Sequence, residues 1–585
     1  QSNELNYDVT TLRGVLNYQW DDHLFTVGAE RLEYNIFNLF AQHTEGQWEF
    51  DSIDDFENGV LETFFYGNAA SGDPNDISEE FKYAINTFFV QDELVFDNGV
   101  TVTAGLRFDY YTSDDEPRFN QNFVDRNGFP NTKTFDGEGL VQPRLGISWD
   151  YSDVLSLRGG IGLYSGGNPN VWLSNSFSND GISNIQQNSF ALPLPGNLLD
   201  GSVTFLNDEG GQGRPIYGIP AEYIDAVENG TANSTVNAID PNIDLPSSWK
   251  YSAGFTYDFD LPGMWGQGYR LDADALFTDI KASFAVQDIS RVVSGTAPDG
   301  RPIYTPTFGS RTNDFLLTNG AEGSELVLSA ALSKSYDDLG IDWSFAYAYV
   351  DAENSASQVS AVAFSNYTGT ATTDPNNLPV TTSNYEIPHR FTAKISWEKA
   401  FFGDYFTRAT LFGSAYQGPP QSFTFGGDAG DVFGDVNDFR NLLYVPTGVD
   451  DPLVEFGPDF DTEAFFAYVD GQAALTRGQI AGRNTDKGQW TNQFDLFLEQ
   501  EFPGALDGHK TKAFLTIENI GNLINDDWGQ VHEASFFQTT SIVDLAGDLN
   551  ANGQYVYEEF RDRDPESRIT DQSFWNMRIG VRYEF

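Results

Sequence analysis

The 585-residue sequence predicts an all-β protein whose antiparallel strands cross a membrane as a β-barrel. Segments of about ten residues in which apolar and polar side chains alternate recur along the whole chain, as in membrane-spanning strands. Uninterrupted apolar runs of about 18 residues, which a spanning helix needs, do not occur. Aromatic residues make up 15% of the chain and glycines number 56, which indicates many turns and many rings for the membrane interfaces.

Charge and cysteine content exclude several classes of protein. The formal net charge of -54 argues against nucleic acid as a partner, because binding phosphates requires an excess of Lys and Arg. So many carboxylates must face water or bind cations. The absence of Cys removes disulfide scaffolds, Cys-ligated zinc and thiol catalysis.

The clearest strand follows the turn Asp97-Asn98-Gly99, and its two faces differ in polarity. In a soluble sandwich the apolar face would meet a second sheet, whereas in a membrane barrel it meets lipid and the polar face lines the interior. The last segment of the chain repeats the pattern. The apolar face of the first strand carries Val100, Val102, Ala104, Leu106, Phe108 and Tyr110, and that of the last carries Met577, Ile579, Val581, Tyr583 and Phe585.

Fifteen segments of this kind follow one another, most of them paired around short turns. Long stretches rich in Asn, Asp, Gly, Ser and Pro separate the pairs, for example 165–247 and 418–489. Outer-membrane barrels have tight turns at the periplasmic end and long loops outside, so these stretches are predicted to be extracellular. The predicted strands are 9–20, 23–38, 83–96, 100–112, 140–149, 154–165, 248–259, 268–281, 324–335, 339–351, 386–398, 404–417, 490–502, 511–522 and 574–585.

An odd number of strands is unusual for a bacterial single-chain barrel. Residues 1–585 are therefore interpreted as one barrel domain that is incomplete at its N-terminus, and the fifteen strands as strands 8–22 of a 22-stranded barrel. One strand missed in a long loop would instead give a closed, 16-stranded, porin-like barrel.

Several short motifs support a family assignment. Residues 88–93 read FFVQDE and residues 105–109 read GLRFD, and this strand pair resembles one in the TonB-dependent outer-membrane receptors, particularly the Oar-like group. In the same order along the chain, further stretches are similar to that family. They are residues 23–28 (HLFTVG), 46–50 (GQWEF), 55–56 (DF), 143–146 (PRLG), 158–164 (RGGIGLY), 387–391 (IPHRF), 515–522 (LTIENIGN) and the terminal 583–585 (YEF).

The resemblance implies a transporter of the bacterial outer membrane rather than an enzyme. Such proteins take up a scarce, bulky ligand, such as an iron chelate, a peptide or a glycan, through a 22-stranded barrel closed by an N-terminal plug. The TonB–ExbB–ExbD complex supplies the energy through an N-terminal box, and neither the plug nor this box is recognisable in the sequence. A terminal Phe585 resembles the signal read by the barrel-assembly machinery. The alternatives are a calcium-dependent surface adhesion protein and a passive porin.

One motif predicts a metal site. Residues 548–559 fit the spacing D-x-[DN]-x-[DN]-G-x5-E of calcium-binding loops. Calcium prefers oxygen ligands, and the predicted set closes with a bidentate carboxylate. The alternative is an Asn-Gly β-turn between two short strands of a loop. The predicted ligands are Asp548, Asn550, Asn552, Gln554 (through its carbonyl) and Glu559.

No catalytic motif is recognisable, and no cofactor is required. Alternation directs a set of charged side chains to the interior, where they line a wet lumen or bind a plug. Aromatic residues in the long stretches either form a ligand platform or pack the loops together. The interior set is Arg107, Asp109, Arg144, Arg158, Asp272, Asp274, Arg578 and Arg582, and the loop aromatics are Trp48, Phe64, Phe65, Tyr66, Trp172, Phe423, Phe425, Phe465, Phe466 and Tyr468.

Overall fold

Fifteen antiparallel strands form one continuous sheet in chain order in the computed structural model. The structure describes residues 2–167, 170–189, 192–194, 198, 218–230, 234–263, 266–308, 312–356 and 358–585. The strands are β1 Ser2–Trp20, β2 His23–Ala41, β3 Glu79–Val95, β4 Val100–Thr112, β5 Gly139–Ser152, β6 Leu155–Ser165, β7 Ser247–Phe259, β8 Tyr269–Ala282, β9 Ser324–Tyr336, β10 Ile341–Asn354, β11 His389–Phe402, β12 Tyr405–Gln417, β13 Trp490–Pro503, β14 Lys510–Glu518 and β15 Asn576–Glu584.

All fifteen predicted strands are present, although some bounds differ. The prediction 511–522 extended too far, because β14 ends at Glu518. The next residue, Asn519, adopts a left-handed backbone conformation with φ 52°, which Asn tolerates better than most residues. Its backbone N–H then donates to Asp495 at 2.8 Å, and a short helix follows.

The sixteenth strand of the sheet, Thr381–Thr382, pairs only with the end of β10. A strand needs about nine to eleven residues to cross a bilayer, so this one does not supply the spanning strand of a 16-stranded porin. Among the described residues no ladder joins β1 to β15.

The two faces of the sheet have the polarity that alternation predicts. Leu145, Ile161, Tyr251 and Phe277 are consecutive partners across four strands and lie on the outer face, where all four are exposed. The inner face carries the charged positions. The outer face is therefore the one that suits contact with acyl chains.

Short turns and long connections lie at opposite ends of the sheet. The long connections are 42–78, 113–138, 166–246, 283–323, 355–388, 418–489 and 519–575, and their described residues fold into a layer that we call the loop cap. Its helices, within the described residues, are α1 Ile53–Asn58, α2 Gln121–Asn127, α3 Asn170–Ser178, α4 Ala221–Glu228, α5 Ala363–Thr368, α6 Ala429–Phe433, α7 Thr462–Gly471, α8 Ile520–Ile524 and α9 Thr570–Ser573, with the 3-10 turn Pro74–Ile77; a second 3-10 turn, Asp337–Leu339, joins β9 to β10.

The strands of the loop cap form small sheets of their own. They are Gln47–Glu49, Thr63–Asn68, Ile185–Asn188, Val236–Ile239, Phe284–Asp288, Arg291–Thr296, Pro302–Pro306, Asp314–Asn319, Ser422–Gly427, Tyr444–Val445, Val454–Phe456, Gln479–Ile480, His532–Ala534, Thr539–Leu545, Tyr555–Phe560 and Glu566–Arg568. Within the described part of the chain, every helix is too short or too polar to traverse a bilayer.

Candidate functional site: the loop cap and the inner wall of the sheet

The last two long connections fold together around one aromatic core. Ser422–Gly427 pairs in parallel with Thr539–Leu545, and Val454–Phe456 pairs in parallel with Tyr555–Phe560. Phe425, Tyr555 and Tyr557 are fully buried between these strands and α7. Two segments far apart in the sequence therefore share one core in the loop cap.

A second hydrophobic core packs the loop cap against the end of the sheet from which the long connections leave. Phe81, Tyr83 and Tyr111 project from the inner face of β3 and β4 and pack against loop residues. The rings of Phe81 and Phe177 are stacked with centroids 4.2 Å apart. The loops consequently cover part of the inner face of the sheet at this end.

Arg440 forms a buried ion pair within the connection 418–489 and joins it to the connection 355–388. Arg440 donates to both carboxylate oxygens of Asp435 at 2.7 and 2.5 Å, and also to the backbone carbonyl of Tyr367. Its guanidinium lies 4.1 Å from the centroid of the Tyr367 ring. Arg440 is only 1% exposed. The pair is therefore part of the framework of the loop cap and not a ligand contact.

Most of the loop aromatics named from the sequence pack the loops together. Phe64, Tyr66, Phe423, Phe425, Phe465 and Phe466 are buried, and Trp48, Trp172 and Tyr468 pack against the cores. Phe65 stacks on His43 with centroids 5.3 Å apart. Other rings of the loop cap are exposed, among them Phe439 and Phe536, at 55% and 72%. The sequence does not indicate which loop aromatics are buried and which are exposed, because tertiary packing decides their exposure.

Ion pairs cross the inner wall from strand to strand. Arg158 on β6 makes a bidentate pair with Asp274 on β8, at 2.8 and 2.6 Å. The two are separated by Gly254 on β7, which pairs with both. Arg158 also donates to Thr256, which donates to Asp272 at 2.6 Å. The glycine leaves the space in which the two charges meet.

A second network surrounds Asp109 on β4. Its carboxylate accepts hydrogen bonds from Thr87 at 2.6 Å, Gln142 at 2.5 Å and Arg107 at 3.1 Å. Arg144 stacks on the ring of Tyr164 instead, 4.4 Å from its centroid. The predicted inward direction of these residues is confirmed by the strand register.

The sequence prediction missed a third network near the short turns. Arg408 bridges Glu398 and Glu499, the latter at 2.8 Å, and Glu501 accepts from Lys510 at 3.0 Å. These residues sit on the inward positions of β11 to β14, where alternation alone would have identified them. Arg578 and Arg582 lie on the same inner face, on β15.

Four of the predicted calcium ligands, Asp548, Asn550, Asn552 and Gln554, lie in the segment before the strand Tyr555–Phe560. The side-chain oxygen of Asn550 accepts from the backbone N–H groups of Asn552 and Gln554, at 2.9 and 3.0 Å. Glu559 is a strand residue paired with Asp544. This is the arrangement of the alternative β-turn, and Asp548 and Asn552 are exposed within it. Groups of three or more His, Asp or Glu that suit a metal are not found in the part of the chain that is described.

An antiparallel sheet with an apolar outer face, a charged inner wall and long folded connections at one end defines an outer-membrane β-barrel protein. The family comparison agrees with this class. The chain belongs to the outer membrane beta barrel domain family, whose model matches residues 1–525. It is a protein of the bacterial outer membrane, as predicted from the sequence.

Solved structures with a similar fold include outer-membrane transporters. The outer membrane transporter YddB from Escherichia coli aligns with a TM-score of 0.47 and 10% identity, over 99% of this chain and 54% of that one. The siderophore receptor PirA from Acinetobacter baumannii aligns with a TM-score of 0.43 and 10% identity, over 100% of this chain and 55% of that one. The chain thus spans about half the length of these proteins. No curated protein sequence matches it.

Proposed function

We propose that the chain is the barrel part of a TonB-dependent transporter that captures a scarce, bulky ligand with its loop cap. The observation that carries this proposal is the packing of the loop cap into the mouth of the sheet through the core around Phe81 and Phe177. A mouth covered by packed loops favours selective capture over free diffusion. The charged inner wall suits a wet interior or a polar plug, and the sequence motifs of β3 and β4 point to the same family.

We further propose that additional strands complete the barrel to 22. Strand β1 is 19 residues long, and within the described part of the chain it pairs along one edge only, with β2. An open edge in lipid would leave backbone groups without partners, at a cost of several kcal/mol for each. Strands beyond β1 would satisfy this edge.

Transport is tested in the native bacterium with a strain that lacks the protein. We expect the deletion to abolish uptake of a bulky nutrient from a panel of labelled iron chelates, peptides and glycans. Uptake is expected to return with the wild-type gene and to be lost again in cells without TonB or treated with a proton uncoupler. The measurement is cell-associated label over time.

Liposomes that contain the purified full-length protein provide the control. A passive porin would make them permeable to small sugars, so swelling in an isotonic sugar solution would contradict energy-coupled transport. Uptake that continues without TonB would contradict it as well.

We also propose that calcium binds residues 548–559. Addition of calcium is expected to slow proteolysis of this segment in the wild type, because the ion would fix the exposed turn. Glu559→Gln is expected to lose most of the protection, since the closing bidentate ligand is removed. Mass spectrometry of the cleavage sites, with magnesium as the control ion, measures the effect. Identical cleavage with calcium and with a chelator would exclude the site.

Phe585 is proposed to direct assembly of the barrel. Its side chain is 97% exposed, so its removal costs little packing energy. We expect deletion of Phe585 to lower the amount of surface-exposed protein several-fold, measured by surface labelling of intact cells. Leu506→Ala, an exposed apolar change in the turn before β14, serves as the control. An unchanged surface level after the deletion would refute this role.

A further inference from the structure

A cleft of about 300 Å³ opens in the loop cap, and none of the predicted residues lines it. It lies between the segments 535–541 and 563–567 and is bordered by the exposed ring of Phe439. Hydroxyl groups dominate its lining: Ser535, Thr539, Thr540, Ser541 and Ser567. We call it the hydroxyl cleft.

Two hydroxyls of the hydroxyl cleft, those of Ser535 and Ser541, are held in place by hydrogen bonds to backbone carbonyls. Ser541 donates to the backbone carbonyl of Phe425 at 2.8 Å and lies 2.9 Å from the hydroxyl of Thr424. Ser535 donates to the carbonyl of Thr539 at 2.7 Å. Preorganised polar groups lower the entropic cost of binding a ligand.

A buried carboxyl and an exposed guanidinium complete the lining. Glu566 is 6% exposed, and both of its oxygens accept from the backbone N–H of Gln489 at 3.2 Å. Burial raises the pKa of the Glu566 carboxyl. Arg563 is exposed, and within the described part of the chain its guanidinium has no hydrogen bond or ion pair. Its backbone is fixed, because its carbonyl accepts from the hydroxyl of Tyr468 at 3.0 Å.

Phe439 provides an apolar surface beside these polar groups. Its backbone N–H donates to Asn437 at 2.7 Å, and its ring approaches Gly426, since a Cβ atom at that glycine would lie 3.7 Å from Phe439 Cδ1. An exposed, supported ring next to hydroxyls, a carboxyl and a guanidinium presents both an apolar face and a polar rim. A sugar ring has the same two features, with C–H groups on its face and hydroxyls around its edge.

We propose that the hydroxyl cleft binds a neutral saccharide unit, which deepens the proposed transport function and rests on it. The cleft carries one cation, Arg563, and two carboxyls, Asp564 and Glu566. An anionic chelate would meet excess negative charge there and in the whole chain, whose formal net charge is -54. A neutral polyhydroxyl ligand can use both donors and acceptors. The volume lies at the lower end of the range of small-molecule sites and suits one or two sugar rings.

The test is direct binding by the full-length protein purified from outer membranes in detergent. An array of neutral oligosaccharides, with short peptides and ferric citrate as comparison probes, identifies the bound class. Calorimetry with the best oligosaccharide then compares the wild type with Phe439→Ala and Arg563→Ala. Each is expected to bind about tenfold more weakly, as for the loss of one contact of a well-formed site.

Trp528→Ala is the matched control, because Trp528 is a ring as exposed as that of Phe439 and lies on the connection of Arg563, 519–575, but outside the hydroxyl cleft. Its affinity is expected to equal that of the wild type, and heat-modifiable gel migration checks that all variants fold. Binding of peptides or ferric citrate only, binding of nothing, or equal affinities of the wild type and both cleft variants would overturn the proposal. Saccharide binding without TonB-dependent uptake would overturn the transport function and leave the cleft assignment standing. TonB-dependent uptake of a ligand that is not a saccharide would support the transport function and overturn the cleft assignment.

Discussion

Replacing Arg440 by Met is expected to lower the free energy of unfolding of the loop cap by about 3–5 kcal/mol, the usual cost of breaking one partner out of a buried ion pair. Asp435 is buried as deeply as Arg440, so the substitution leaves a carboxylate without its counter-charge in the interior. The stacking on Tyr367 is lost as well. This single change should therefore loosen the connections 355–388 and 418–489 together.

Hydrogen exchange measured by mass spectrometry on the full-length protein in detergent detects this loosening. The backbone N–H of Thr372 donates to the carbonyl of Arg440 at 3.0 Å, and the N–H of Leu442 donates to the carbonyl of Thr372 at 3.1 Å. Peptides that contain these residues therefore report on the loop cap. Exchange there should rise strongly while that of β1 to β15 stays unchanged.

Arg477→Met provides the matched control. Arg477 also pairs with an Asp in the connection 418–489, but the side chains of Arg477 and Asp470 are 39% and 61% exposed. Exposed pairs contribute about 0–1 kcal/mol, so exchange should barely change. Equal exchange in the two variants would show that burial does not set the strength of the Arg440 pair.

The sheet was predictable from sequence because its signals are local. Alternation over about ten residues identifies a spanning strand, and turns such as Asp97-Asn98-Gly99 fix where one strand ends and the next begins. The bounds failed where a side chain changed the backbone: at Asn519 a left-handed residue stopped β14 before the alternation ended.

The loop cap was not predictable, since its pairings join segments that are distant in the sequence. Ser422–Gly427 and Thr539–Leu545 lie more than a hundred residues apart, and neither contains a sign of its partner. Phe425 and Phe439 illustrate the consequence. Both are phenylalanines in one connection, yet one is fully buried and the other is 55% exposed.

The contacts of the inner wall were predictable only in part. Alternation correctly directed Arg158 and Asp274 inward, but it did not reveal that they meet across an intervening strand. That contact is possible because Gly254, on the intervening strand, has no side chain to occupy the space. Sequence shows the glycine but not the space that it leaves.

That space leads to the second large effect: Gly254→Ala is expected to destabilise the folded barrel by about 1–3 kcal/mol, as overpacking usually does. A Cβ atom at this position would lie 2.2 Å from the Asp274 carboxylate, 2.9 Å from Arg158 Nε and 2.9 Å from the backbone carbonyl of Ala273. The ion pair itself is partly exposed and contributes little, so the steric conflict accounts for most of the effect.

Gly146→Ala isolates this conflict, because Gly146 is an inward position of β5, two strands away from β7, and a Cβ atom there would have nothing within 4 Å. Its unfolding midpoint in urea should match that of the wild type, while that of Gly254→Ala should be lower. Adding Asp274→Ala to Gly254→Ala removes the closest conflict and should recover part of the loss, which makes the two changes non-additive. Strict additivity, or equal midpoints for the two glycine variants, would mean that Arg158 and Asp274 do not meet over Gly254 in the folded protein.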